Sequence, residues 1–114
     1  MINSLPILTL TSSLTGTVAA ARFVTPLGAQ AGSDANALGV ARTAGVSGDK
    51  IPMDILGTAV VEAGAAITAG DTLKSDSSGR AIPWATSGAR LAIALAAASQ
   101  AGDVIEAFLI PNAA

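Results

Sequence analysis

Apolar and polar positions alternate in short runs along this chain, and these runs predict strands rather than long helices. The predicted strands cover residues 17–26, 38–43, 50–56, 58–62, 72–76, 80–84, 89–98 and 104–110. Small polar residues, Gly and Pro separate them, so we expect an all-β domain, a small β-barrel or sandwich. One alternative stays open: residues 91–100 are dominated by Ala and Leu, and a short helix would also fit there.

The N-terminal segment has its own pattern, in which apolar side chains alternate with proline and threonine. These apolar side chains are Leu5, Ile7, Leu8 and Leu10. The pattern favours an extended arm or an edge strand. We therefore divide the chain into an arm over residues 1–16 and a single β-rich domain over residues 17–114. The arm either pairs within its own subunit or lies on a neighbouring chain.

A Gly-Asp doublet occurs three times, each time close to an apolar run: Gly48-Asp49, Gly70-Asp71 and Gly102-Asp103. Glycine accepts a positive φ and aspartate can bond nearby backbone N–H groups, so the pair suits a reversal between strands. The flanks of the first and third corners also match. Residues 39–56 and 92–110 lie about 53 to 54 positions apart, which predicts an internally duplicated hairpin.

The segment Asp76-Ser77-Ser78-Gly79 is typical of a short hairpin loop, with Gly79 in the left-handed conformation. It would join the strands at 72–76 and 80–84.

Composition adds an expectation about assembly. Apolar residues make up 51% of the chain and charged residues only 12%, while the aromatic residues are Phe23, Trp84 and Phe108. Little charge is left to cover a monomer, so we expect apolar surface to be buried between subunits. The net charge of −2, without a basic cluster, argues against binding to nucleic acid. The longest apolar stretch, residues 91–98, is too short to cross a membrane.

The side chains that most catalysis requires are missing. The sequence contains no His, Cys or Tyr, which removes the commonest general base, the thiol nucleophile and the phenolic acid. Asp71 and Asp76 give an incomplete set of oxygen ligands for a cation. We therefore expect no enzyme activity, no cofactor, no metal site and no small-molecule substrate.

Candidate partner-binding residues come from the arm and from the region around the single tryptophan. Trp84 fits either a core position or an interface anchor, and Arg80 and Arg90 flank it. Together with Leu5, Ile7, Leu8 and Leu10 in the arm, they are the residues predicted to contact a partner.

Residues 65–82 and 93–105, with all three Gly-Asp corners in order, resemble the small cement or decoration proteins of tailed-phage capsids. The resemblance implies a β-rich domain, commonly a trimer, on the outer surface of the virion capsid, where it reinforces junctions between major capsid protein subunits. It also implies synthesis in the bacterial host cytoplasm and no catalysis. The apolar segment at residues 1–13 is longer than the family pattern.

Two alternatives remain from the residues alone. A secreted or surface β-sandwich adhesin or fibre subunit would have a similar composition. A carrier domain of the biotinyl type would need its modified lysine at a hairpin tip, where this chain has Ser77-Ser78-Gly79, and the nearest lysine, Lys74, lies in the preceding strand.

Overall fold

The computed structural model describes residues 6–110, which form eight β-strands. They are β1 (Pro6–Ser13), β2 (Phe23–Val24), β3 (Gly39–Ala41), β4 (Lys50–Glu62), β5 (Thr72–Ser75), β6 (Ala81–Pro83), β7 (Ala92–Ala94) and β8 (Val104–Leu109). The all-β prediction is confirmed. The helix considered for residues 91–100 is wrong, because β7 pairs there with both β5 and β8 and this pairing overrides the local helix propensity of Ala and Leu.

The strands form one antiparallel sheet in the order β2-β3-β4-β8-β7-β5-β6, and β1 pairs with the first part of β4. The two ends of this order meet. The N–H of Phe23 in β2 donates to the carbonyl of Gly79, just before β6, at 2.8 Å. Ala81 in β6 also forms a bridge with Ala63, just after β4. The sheet is therefore a nearly closed β-barrel.

The barrel consists of two halves that share β4. In the first half the strand order is β1, β4, β3 and β2; in the second half it is β4, β8, β7 and β5. The N-terminal part of β4 pairs with β1 and β3, whereas Thr58 to Glu62 pairs with β8. Gly57, with a φ of 92°, lies between the two parts. The predicted duplication is thus visible in the strand pairing, and β6 is an addition to the second half.

The same corner recurs in both halves. The chain reverses direction at each Gly-Asp doublet. One residue, which we call the anchor, exchanges two backbone hydrogen bonds with the doublet, at 2.7 to 2.8 Å. The anchor residues are Leu14 for Gly48-Asp49, Ala94 for Gly70-Asp71, and Ala63 for Gly102-Asp103. Each aspartate side chain also accepts a hydrogen bond from a backbone N–H three or four residues earlier. The predicted role of the doublet is confirmed.

A fourth corner lacks both glycine and aspartate. Ala41 exchanges the same pair of hydrogen bonds with Ala21 and Arg22, at 2.9 and 3.0 Å. Ala21 has a φ of 62°, so an alanine occupies the left-handed position that glycine fills elsewhere. Ala21 lies seven positions after the anchor Leu14. In the same way, Gly48 lies seven positions after Ala41, and Gly70 lies seven positions after Ala63.

Several predicted strands are shorter or joined. The strand predicted at 17–26 is reduced to Phe23–Val24, because most of that segment forms the Ala21 corner. The strands predicted at 50–56 and 58–62 are one strand, β4. The hairpin loop is confirmed: Gly79 has a φ of 75°, and the Asp76 carboxylate accepts from the N–H groups of Ser78 and Arg80.

The core is built from small residues. Its larger cluster contains Phe23, Leu73 and Ile105 among many alanines, and a smaller cluster lies around Met53 in the first half. Residues 6–110 contain no helix that is long and apolar enough to span a membrane.

Candidate partner-binding face

One row of side chains crosses five consecutive segments of the second half on the outside of the barrel. It contains Trp84, Thr72, Ile93, Phe108 and Thr58, in that order. Residues directly opposite one another in antiparallel strands share a face, and the alternate residues Leu73, Ala92 and Leu109 are buried in the core. The row therefore faces outward. We call it, with the neighbouring row described below, the outer face.

Phe108 shows why this face is unusual. Its side chain is 46% exposed in the centre of the row, beside the partly exposed Ile93. Trp84 is also partly exposed, so two of the three aromatic residues lie outside the core. A contiguous exposed apolar patch of this kind usually marks an interaction site.

The matching row of the first half is covered. Phe23, Val40 and Asp54 occupy the positions that Thr72, Ile93 and Phe108 occupy in the second half. There all three residues are buried, and Phe23 and Val40 belong to the larger core cluster. One half of the duplicated barrel thus buries this row within the protein, and the other half leaves it on the surface.

A second row lies beside the first on the outer face and contains Val60, Glu106 and Leu95. Leu95 is exposed, and its N–H donates to the carbonyl of Glu106 at 3.0 Å. Glu106 itself is only 4% exposed. Within residues 6–110 no hydrogen bond or ion pair involves its carboxylate, whereas the other two buried polar residues, Asp54 and Ser75, have hydrogen-bond partners.

Trp84 lies at one end of the outer face and is held by its own loop. Its indole N–H donates to the carbonyl of Gly88 at 2.9 Å, and the guanidinium carbon of Arg90 lies 4.1 Å from the ring centre. Trp84 is not part of either core cluster, so the core position considered for it is wrong. The interface role of Trp84 and Arg90 stays a prediction.

Asp34 ties the same loop to the barrel. Its carboxylate forms an ion pair with Lys74 of β5 at 2.7 Å and accepts from the Ser87 hydroxyl at 2.9 Å. The hydrogen bond from Lys74, followed by that from Ser87, lowers the pKa of Asp34 below its usual 3.8. The charged form of Asp34 therefore supports the position of the loop that carries Trp84.

Arg80 lies elsewhere, at the seam where the barrel closes. It forms ion pairs with Asp76 at 3.4 Å and with Glu62 at 3.6 Å, and Glu62 also pairs with Arg22 at 3.2 Å. The guanidinium of Arg80 thus lies within the protein's own ion-pair cluster rather than beside Trp84. Its predicted contact with a partner is untested.

The candidate leucines of the arm lie on β1. Leu8 and Leu10 are exposed, and β1 pairs with β4 along one edge only among the described residues. Ile7 also belongs to β1, whereas Leu5 lies outside the described residues. The arm therefore pairs within its own chain and still presents an edge and exposed side chains. Its binding to a neighbour stays a prediction.

The described surface offers little for chemistry. A groove of about 240 Å³ is lined by residues 20–21, 40–42, Asp54 and Val60. Its acid, Asp54, is already bonded to Thr9 at 3.0 Å and paired with Arg42 at 3.5 Å. Residues 6–110 contain no group of three or more acidic side chains close enough to hold a metal ion.

The candidate residues predicted from the sequence do not include Phe108, Ile93, Leu95 or Glu106. The signal was present in β8, Val104–Leu109, which is apolar on both faces except for Glu106. Such a strand is expected where both faces are covered. In this chain the inner face of β8 lies in the core, whereas Val104 and Phe108 on its outer face are exposed.

Comparison with known proteins places the chain. The family model described as "Phage cement protein" matches residues 2–109. The chain therefore belongs to the phage cement protein family, whose members are structural and non-enzymatic components of the phage head.

The fold resembles a solved structure, the head fibre gp8.5 N base in bacteriophage phi29, with a TM-score of 0.73 and 22% sequence identity. The match covers 90% of this chain and 93% of the phi29 chain. At this identity the likeness establishes the fold alone. No curated protein matches the chain.

Proposed function

We propose that this protein binds the outer surface of a phage head and stabilises the contacts between major capsid protein subunits. Family membership supports attachment to the capsid. The observation that carries the proposal is the exposed row around Phe108, because the equivalent row of the first half is buried. A protein partner that covers the outer face would bury the same row in both halves.

The stabilising effect follows from mass action. A ligand that binds the assembled shell, and not the separated subunits, shifts the equilibrium toward the shell. Many copies act on one particle, and an oligomer that makes several contacts gains further from its high effective concentration. The outer face needs only modest affinity at each site.

The proposed oligomer is a homotrimer. The low charge of the chain, and the exposed Leu8 and Leu10 on an edge strand, support contacts between copies. The number three is what the family resemblance implies. Multi-angle light scattering would test it: a trimeric mass supports the proposal, and a monomer at the concentration of the binding experiments contradicts it.

A second candidate is the base of a head fibre. The similarity to the phi29 head fibre base favours it, since that domain has nearly the same fold. The two roles differ in what they do to the shell. A cement protein raises the temperature at which the head disrupts, whereas a fibre base is required only to remain attached.

The binding test uses expanded heads of the encoding phage from which the protein has been removed. We expect the wild type to bind at saturable sites and Phe108→Ala to bind at least about tenfold more weakly, because a buried aromatic anchor is often an interface hot spot. Leu27→Ala is the matched control, since Leu27 is exposed in a loop of the first half. Equal binding by Phe108→Ala and the wild type would contradict the assigned face.

A further inference from the structure

The carboxylate of Glu106 is the one feature of the outer face that an apolar contact does not explain. The residue is 4% exposed, it points outward between Val104 and Phe108 along β8, and its carboxylate has no partner within the described part of the chain. Its neighbours across the strands are Val60 and Leu95. Neither carboxylate oxygen is among the fully buried atoms that lack a partner, so the charge stays accessible from outside the barrel.

The position does not require an acid for the fold. The first half places Pro52 where the second half has Glu106, so the shared architecture forms with an uncharged residue there. Because the fold does not need the acid, its place among the apolar side chains of the outer face points to a function in the bound state.

We infer that Glu106 is the recognition residue of the outer face, and that it accepts a salt bridge from one arginine or lysine of the capsid protein, presented among apolar side chains. The inference rests on the proposed function, because it names the chemistry of the partner at that same face. Charge complementarity selects the occupant: Phe108, Leu95 and Val104 form an apolar rim beside Glu106. The next acid on this face, Glu62, is already paired with Arg22 and Arg80.

The cations of this chain do not supply the partner within the same molecule. Arg22, Arg80, Lys74 and Arg42 form ion pairs with acids other than Glu106, and Arg90 stacks on Trp84. The sixth cation, Lys50, is exposed at the opposite end of β4 from Val60. The cation that pairs with Glu106 is therefore expected from another molecule.

The experiment compares Glu106→Gln and Glu106→Leu with the wild type in binding to heads stripped of this protein. We expect both variants to bind at least about tenfold more weakly, because truncation of a hydrogen-bonded interfacial charge pair leaves the partner's charge buried and unpaired. We also expect both free variants to melt within a few degrees of the wild-type temperature. Loss of affinity without loss of stability would not result from damage to the fold.

Thr43→Lys is the charge-matched control. It changes the net charge from −2 to −1, as Glu106→Gln does, at an exposed position in the first half. We expect it to bind like the wild type, which separates a specific pair from a general effect of charge.

Three results would overturn the inference. Tighter binding by Glu106→Leu would mean that the partner presents only apolar groups there. Unchanged binding by both variants would mean that Glu106 is not part of the contact. Loss of self-association by the variants, with wild-type binding per subunit, would mean that a second copy occupies the face. If the wild type itself does not bind stripped heads, the proposed function fails instead.

Discussion

Left-handed backbone at the four corners has a testable energetic consequence. In this conformation alanine is less stable than glycine by roughly 1 kcal/mol. The larger backbone entropy that glycine loses on folding offsets part of this difference. We therefore expect Ala21→Gly to raise the free energy of unfolding by about 0.5 kcal/mol. Gly102→Ala should lower it by about 0.5 kcal/mol through the same balance in reverse, since a Cβ at Gly102 would meet open space.

Urea titration of the two variants measures both effects. The opposite signs are the essential result, because both substitutions exchange the same two residue types. A destabilised Ala21→Gly would show that the corner at Ala21 is not under strain.

Asp103 provides an electrostatic prediction at the third corner. Its carboxylate accepts from the hydroxyl and the N–H of Ser99, both at 2.9 Å, and these bonds lower the pKa of Asp103 below its usual 3.8. A carboxyl whose pKa is lower in the folded state stabilises the fold above its unfolded pKa. That contribution is lost as the pH falls through the folded pKa.

Ser99→Ala removes the hydroxyl hydrogen bond, which lowers the pKa of Asp103 more than the backbone bond does. We therefore expect this pKa to rise toward 3.8. A carbon-detected NMR titration measures this directly. The melting temperature of the variant should also fall less steeply than that of the wild type below pH 3.8. Ser77→Ala, on the separate hairpin tip, is the control. An unchanged pKa in Ser99→Ala would show that the hydroxyl does not hold the carboxylate.

At the scale of strands, β1 presents the predicted arm side chains without depending on them for its core. Leu8 and Leu10 are exposed, while the pairing of β1 with β4 is formed by backbone groups. We expect the double variant Leu8→Thr, Leu10→Thr to keep a melting temperature within a few degrees of the wild type, because surface substitutions on a strand cost little. Self-association or attachment to heads should weaken.

Light scattering and head binding of that variant separate the two uses of the arm. Loss of the trimer alone places β1 between copies, and weaker binding with an intact trimer places it on the shell. A large fall in melting temperature would show instead that these leucines are part of the core.

The elements also show how far the sequence predicts this fold. Each Gly-Asp doublet forces a reversal locally, so the corners and the matching hairpins were evident from the residues. The sharing of β4 by the two halves was not, because local pattern does not say which strands pair. The corner at Ala21 was not predicted either, because its conformation is imposed by pairing with Ala41 and not by its own residue type.

The outer face was only partly predictable for a related reason. Trp84 and Arg90 were predicted from their residue types. Phe108 and Glu106 became candidates only when the register placed them on the outside of β8, beside Ile93 and Val60. A single sequence does not distinguish a strand covered by its own chain from one covered by a partner.

At the scale of the whole molecule, the two halves of the duplicated barrel differ in what they bury. The first half buries its row of Phe23 and Val40 in the larger core cluster, and the second half leaves Phe108 exposed. We propose that a partner covers this exposed row. Membership of the phage cement protein family supports the phage head as the proposed partner. Binding of the capsid across the outer face should make separation of the shell subunits more difficult.

The most direct test is the thermal disruption of expanded heads that lack this protein, followed by light scattering as purified protein is added. We expect the disruption temperature to rise with occupancy and to level off at saturation, and we expect Phe108→Ala to need a higher concentration to reach the same plateau. Heads that are fully occupied, yet disrupt at the same temperature as bare heads, would contradict a cementing role.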